Sequence, residues 1–154
     1  MNSEESFDKF ALLREIMKHQ ADDRVREIAD LMKVKTCPAG HVLCREGEAG
    51  NVLFVIGEGR VEVTQENEEG QGSHRLGEAG RGDLIGEMSL LQNAPRNATV
   101  TTLTECIILE MEKKDLETIL GHNPAVAVGL VNIANERQRI NDVIAMETLF
   151  NLKP

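Results

Sequence analysis

Short apolar runs separated by glycine-containing turns dominate the middle of this 154-residue chain. Each run has three to five residues, which is too short for a helix and typical of a strand bounded by turn residues. Several short strands at nearly regular spacing favour a closed roll or barrel. The predicted strands are residues 42–44, 52–56, 61–63, 99–103 and 107–111, and the polar stretch 65–74 is predicted to be an exposed hairpin tip.

Helical spacing of apolar residues replaces this pattern at both ends of the chain. Two short helices are predicted between residues 7 and 32, separated by a polar break at 19–23. A short helix over 114–120 is predicted to end at a break over 121–124, where a long helix then begins and continues to residue 150. We therefore expect a mainly β protein with flanking helices.

One domain is the expected organisation, since compact domains usually contain about 100–200 residues. We expect a single domain of residues 1–154. Within it, N-terminal helices would occupy 1–33, the roll 34–112, with a ligand-binding segment at 82–100, and C-terminal helices 113–154.

Composition excludes several classes of function. The formal net charge of −9 would repel a phosphate backbone, so nonspecific nucleic-acid binding is not expected. Apolar runs stay well short of the ~18 residues that a membrane-spanning helix needs, so membrane insertion is not expected either. Three cysteines, an odd number, follow a polar amino terminus without an apolar leader, which predicts a reduced, cytoplasmic protein.

The densest chemical signal lies between Gly82 and Val100. Gly86 removes a side chain where a ligand can approach the backbone, and a short helix predicted after it would direct unpaired N–H groups at an anion. Arg96 can add a two-pronged, charge-assisted contact to a phosphate. The carboxylate of Glu87 would repel a phosphate but accepts well from a sugar hydroxyl. This segment therefore favours a sugar phosphate as ligand.

Residues 82–100 resemble the phosphate-binding cassette of cyclic-nucleotide-binding domains, the β-roll family of the catabolite activator protein and the regulatory subunit of cAMP-dependent protein kinase. The turns at Pro38–Gly40 and Gly47–Asn51 and the strands of 55–63 resemble earlier parts of that fold, so the resemblance covers residues 32–150. It implies a double-stranded β-helix of the jelly-roll type with N-terminal helices and a long C-terminal helix.

The resemblance also implies roles for individual residues. Glu87 would accept from the ribose 2′-hydroxyl, and Arg96 would bind the cyclic phosphate. Asn97 departs from the Ala, Ser or Thr usual after this arginine, and its amide can donate to a phosphate oxygen or a purine edge. The remaining phosphate and ribose contacts are expected from Gly86, Met88 and Ser89, with a small Ala98 letting the cassette close; the base contacts are expected from the long helix, at Arg137, Asn141 and Asp142.

The function expected from this resemblance is a non-enzymatic sensor that binds a cyclic nucleotide, with cAMP favoured over cGMP, and signals by moving its C-terminal helix. No metal and no other cofactor are expected. An apolar seam at heptad-like spacing from Val126 to Ile144 predicts either a homodimer contact or a helix that covers the roll. Because the chain ends four residues after Phe150, we expect no direct DNA reading. Either an unidentified protein effector reads the helix, or this chain is part of a longer protein.

Other interpretations compete with this one. The roll can be an interaction scaffold that has lost nucleotide binding, or Glu87 and Arg96 can simply pair with each other. A cupin-type enzyme would need closely spaced histidines for its metal, and no His-x-His triplet occurs. Cys37 and Cys44 flank His41, but their spacing matches no common zinc site, so we expect these cysteines to act as small buried hydrophobes.

Overall fold

The computed structural model describes residues 6–18, 20–67, 70–86 and 95–125. Within these ranges, helices α1 (Lys9–Ile16) and α2 (Asp22–Leu31) precede the strands, and α3 (Lys113–His122) follows the last strand. Between them lie β1 (Lys33–Cys37), β2 (Val42–Cys44), β3 (Val52–Glu58), β4 (Val61–Glu66), β5 (Ser73–Ala79), β6 (Leu84–Ile85), β7 (Thr99–Thr102) and β8 (Cys106–Glu112).

These strands form two four-stranded sheets in which every pairing is antiparallel. The first sheet has the order β1-β8-β3-β6, and the second has the order β2-β7-β4-β5. Strands adjacent in sequence are mostly separated in each sheet, since the chain crosses repeatedly from one sheet to the other. This mainly β roll with flanking helices is the fold class predicted above.

The central strands of the first sheet are buried on both faces. Successive side chains of a strand point to opposite faces, so β3 and β8 each supply two sets of apolar residues. Leu53, Val55 and Leu109 pack in one cluster with the helices, whereas Phe54 and Ile108 pack in a second cluster with residues of the second sheet. The molecule therefore has an outer core under the helices and an inner core inside the roll.

The N-terminal helices cover the outer core. Asp8 caps α1, because its Oδ1 accepts from the Ala11 N–H at 2.9 Å and satisfies one of the unpaired donors of the first turn. The buried residues of the two helices are Leu12, Leu13, Ile16, Val25, Ile28 and Ala29. Each fully buried Leu, Ile or Val side chain among them stabilises the fold by about 1.5–3 kcal/mol, so the two helices contribute to the outer core.

Several sequence predictions require correction, among them the polar break at 19–23, since α2 begins at Asp22. The exposed tip of 65–74 is shorter than predicted, since β4 continues to Glu66 and β5 begins at Ser73. Strands β1 and β5 were not predicted, because most of their side chains are exposed or half-buried and their sequences show no apolar alternation. The predicted break at 121–124 is wrong at its start, because α3 includes Gly121 and His122.

The predicted long helix of 124–150 lies outside the described residues beyond position 125. Among the helices that the structure does describe, none combines the length and apolarity needed to cross a lipid bilayer.

Candidate functional site

Arg96 lies between an isolated bridge and the first residue of β7. Its backbone is held on both sides by the turn that joins β2 to β3, because Arg96 N–H donates to Glu48 O and Gly47 N–H donates to Arg96 O, each at 2.8 Å. Pro95 forms the bridge with Ala49 in the same turn. These contacts direct the arginine side chain into the roll, and only 6% of the residue is exposed.

The Arg96 guanidinium lies at the edge of the inner core. Its Nη2 donates to Val52 O at the start of β3, and its Cζ lies 5.7 Å from the centre of the Phe54 ring. Its Nη1 is buried and has no hydrogen-bond partner within the described part of the chain. One arm of the guanidinium is therefore held by the backbone, while the other still has donors to offer.

Gly86, directly after β6, lies against this second arm. Its φ of +90° belongs to the left-handed region that residues with side chains rarely adopt. A Cβ placed on Gly86 would overlap Nη1 of Arg96 and lie 3.2 Å from Val52 O. The missing side chain is thus what allows the guanidinium to lie beside the backbone at this position.

The described surroundings of Arg96 give its positive charge little compensation. No ion pair joins it to a carboxylate among the described residues, and its guanidinium contacts the Val52 carbonyl group and lies near the Phe54 ring. Half-buried apolar residues surround the inner core, and they are Leu43, Cys44, Val52, Val63 and Ile85. Removing a cation from water is costly unless an opposite charge compensates it, so this site favours an anionic ligand with an apolar portion.

Cys44, the titratable residue of β2, is affected by the charge of Arg96. Burial raises the pKa of its thiol, and the positive charge of Arg96 partly opposes that shift. Cys37 and Cys106 are buried and Cys44 is half-buried, and none of the three forms a disulfide, whereas His41 is exposed. Within the described ranges, no three His, Cys, Asp or Glu side chains gather as a metal site would require.

The two residues after Arg96 differ in environment. Ala98 is 8% exposed, and the sulfur of Cys44 lies 4.0 Å from its carbonyl oxygen. Asn97 is exposed, and its carbonyl oxygen accepts from Nε2 of Gln65 on β4 at 3.0 Å. Sequence reasoning missed Gln65, although its place two residues after Val63 puts both on one face of a strand.

The structure thus brings together Gly86 and Arg96, with Asn97 and Ala98 next along the chain. Four ranges of the chain are described, and the other predicted site residues lie outside them: Glu87, Met88, Ser89, Arg137, Asn141 and Asp142. The alternative pairing of Glu87 with Arg96 falls outside the described residues for the same reason.

Comparison with known proteins gives a consistent result. Residues 34–123 match the family described as the cyclic nucleotide-binding domain. The chain is 36% identical over 112 residues to a cyclic nucleotide-gated potassium channel of Rhizobium etli, covering 73% of this chain and 30% of the channel. It is 37% identical over 114 residues to the cAMP-dependent protein kinase regulatory subunit of Dictyostelium discoideum, covering 71% of this chain and 34% of the subunit. This chain therefore spans about a third of either relative.

Solved structures share the fold. A cyclic nucleotide-binding domain from Methylobacillus flagellatus superposes with a TM-score of 0.78 at 24% identity, covering 90% of this chain and 83% of that one. The Thermus thermophilus catabolite activator protein superposes with a TM-score of 0.72 at 25% identity, covering 87% of this chain and 62% of that one. At these identities the likeness concerns the architecture of the roll and its flanking helices.

Proposed function

This chain belongs to the cyclic nucleotide-binding domain family, and from that premise we propose that it is a non-enzymatic sensor whose roll binds a 3′,5′-cyclic nucleotide, preferably cAMP. Within the proposed domain, residues 34–112 form the roll and residues 82–100 form the cassette that holds the ligand. The names of its relatives support a regulatory role, since they include a gated channel and a kinase regulatory subunit.

One observation carries this proposal: the Arg96 guanidinium is buried beside Gly86, and its Nη1 lacks a partner within the described part of the chain. A cyclic phosphate offers the negative charge and the paired oxygens that a guanidinium binds most strongly. On binding, the phosphate would compete with Val52 O for one arm of Arg96 and take the donors of the other.

The rest of the nucleotide would be held by residues next to this arginine. We assign the ribose 2′-hydroxyl to Glu87, and phosphate contacts to the backbone or hydroxyl groups of Gly86, Met88 and Ser89. Asn97 would donate to the phosphate or the base, and the small Ala98 would let the cassette close. Base contacts from the C-terminal helix are assigned to Arg137, Asn141 and Asp142.

Signalling would follow from a population shift. A ligand changes the balance between two conformers only by as much as its affinity for them differs. Here the favoured conformer would bring the C-terminal helix against the occupied cassette. The repositioned helix would be read by a protein effector or by a second copy of the chain, with no direct DNA binding and no membrane insertion.

A vacant scaffold is the competing function. In that case the roll would keep its sequence pattern and its fold without binding a nucleotide. Arg96 is buried and no carboxylate of the described ranges pairs with it, which argues against a scaffold, since a scaffold gains nothing from a desolvated charge.

Calorimetric titration with cAMP and cGMP tests the proposal. We expect Arg96→Gln to weaken cAMP binding at least about tenfold, because hydrogen bonds to charged groups contribute about 1.5–3 kcal/mol. Arg60→Gln is the matched control, since Arg60 is exposed and pairs with Glu78 at 3.4 Å, away from the cassette. Equal affinities for the wild type and Arg96→Gln would discredit the assigned role of Arg96. A wild type that binds neither nucleotide would favour the scaffold.

A further inference from the structure

The inner face of β4 ends in a polar side chain. Val61 is buried and Val63 is half-buried in the inner core, and Gln65 follows at the same two-residue spacing. β4 pairs with β7 up to Thr64 and Thr99, so Gln65 lies opposite the segment that leads from Arg96 into β7. An apolar row on the inside of the roll thus gives way to a half-buried carboxamide next to the proposed cassette.

Only part of the hydrogen-bonding capacity of this carboxamide is used. One N–H of Gln65 Nε2 donates to Asn97 O at 3.0 Å. A glutamine side chain has a second N–H and a carbonyl oxygen, and within the described ranges neither is engaged by another protein group. The bond to Asn97 fixes the amide group in orientation, because the nitrogen must face that carbonyl. Within the described ranges, Gln65 therefore has one donor and one acceptor that no protein group occupies.

We propose that Gln65 is a specificity-determining residue that selects adenine over guanine, an inference that rests on the proposed cyclic-nucleotide function. Adenine offers an acceptor at N7 next to a donor at its 6-amino group, which matches one carboxamide donor and one acceptor. Guanine offers two acceptors, N7 and O6, on the same edge. Its O6 would face the carbonyl oxygen of Gln65 without a proton between them.

The alternative is that Gln65 only fastens Asn97 and with it the backbone around Arg96. A fastening role would affect every cyclic nucleotide equally, because all of them carry the same cyclic phosphate. A reading role would affect only ligands with the adenine pattern. The ratio of affinities for cAMP and cGMP separates the two roles.

Calorimetry on the full chain with cAMP and cGMP tests the proposal. We expect the wild type to prefer cAMP, and Gln65→Met, of similar length but without the amide, to lose about tenfold or more in cAMP affinity. The affinity of this variant for cGMP should stay within about threefold of the wild-type value, because guanine makes no pair of hydrogen bonds to Gln65 that the substitution could remove. Glu66→Gln is the matched control, since Glu66 is the exposed next residue on the opposite face and its change should leave the ratio unaltered.

Two analogues test the wild type without any substitution. The 3′,5′-cyclic monophosphate of 7-deazaadenosine lacks N7, and that of purine riboside lacks the 6-amino group. Each should bind more weakly than cAMP. If Gln65→Met weakens cAMP and cGMP equally, or the analogues match cAMP, the specificity role is overturned while the proposed function stands. If the wild type binds no cyclic nucleotide, the proposed function itself fails.

Discussion

Gly86 and Arg96 are ten positions apart in sequence, yet they form one unit. The guanidinium occupies the space that a side chain at position 86 would take, and the left-handed φ of Gly86 directs the chain past it. Arg96 is in turn held by Val52 O and by the turn around Gly47. Any change at Gly86 therefore acts through the arginine as well as through the backbone.

A comparison of substitutions at Gly86 and at a second glycine separates the effect on Arg96 from the effect on the backbone. Gly86→Ala should cost about 1–2 kcal/mol for its left-handed backbone and should also displace the Arg96 guanidinium. Gly40→Ala is the matched control, because Gly40 has a φ of +82° but no atom within 4 Å of its added Cβ. Denaturant unfolding should show a loss in both variants, whereas cAMP titration should show weakened binding in Gly86→Ala alone. Unchanged cAMP affinity in Gly86→Ala would contradict the contact.

Among the elements, β3 connects the helices to the side of the roll where Arg96 lies. One of its faces packs against α1 and α2, the other contributes Phe54 beneath Arg96, and its first carbonyl group holds the guanidinium. Gly57, near the end of the same strand, receives the ring of Phe7 from just before α1. Close packing at Gly57 therefore keeps the N-terminal segment against the strand.

A double substitution tests this packing. A Cβ on Gly57 would lie 2.8 Å from Phe7 Cζ and 3.0 Å from Ile107 O, so Gly57→Ala should lower the free energy of unfolding by about 1–3 kcal/mol. In a Phe7→Ala background the same change should cost less, because the ring contact is gone and only the carbonyl contact is left. Gly121→Ala, with nothing within 4 Å and a place in α3, should not destabilise. Fully additive losses would argue against the Phe7 contact.

Sequence patterns predicted the strands and site residues that stand out within their own short segment of the chain. Strand β3 and strand β8 read as short apolar runs, and Gly86 and Arg96 stand out within a single segment of the chain. The sequence did not predict β1, because this strand forms by pairing with β8 and its own residues show no apolar pattern. The contacts of Val52 and Gln65 were not predicted for a related reason. The fold brings Val52 to Arg96 across 44 positions and Gln65 to Asn97 across 32 positions.

At the scale of the whole molecule, the charge of the protein and the charge of the proposed ligand have the same sign. The chain carries a formal net charge of −9, and a cyclic nucleotide is an anion. Surface charges are screened over about 8–10 Å at physiological ionic strength, whereas a buried guanidinium is screened much less. Affinity should therefore depend on Arg96 rather than on the overall field, and the net charge would still disfavour long polyanions such as nucleic acids.

The composition of the whole chain allows a direct test for bound nucleotide. The protein contains no Trp and no Tyr and has only four Phe, so its own near-ultraviolet absorbance is weak. A purine nucleotide retained through purification should therefore dominate the spectrum near 260 nm, and mass spectrometry of the heat-released small molecule should identify it. Arg96→Gln protein prepared in parallel should lack this band, since it lacks the buried cation that is proposed to bind the phosphate. A band of equal height in both preparations would instead indicate a contaminant or a ligand held elsewhere.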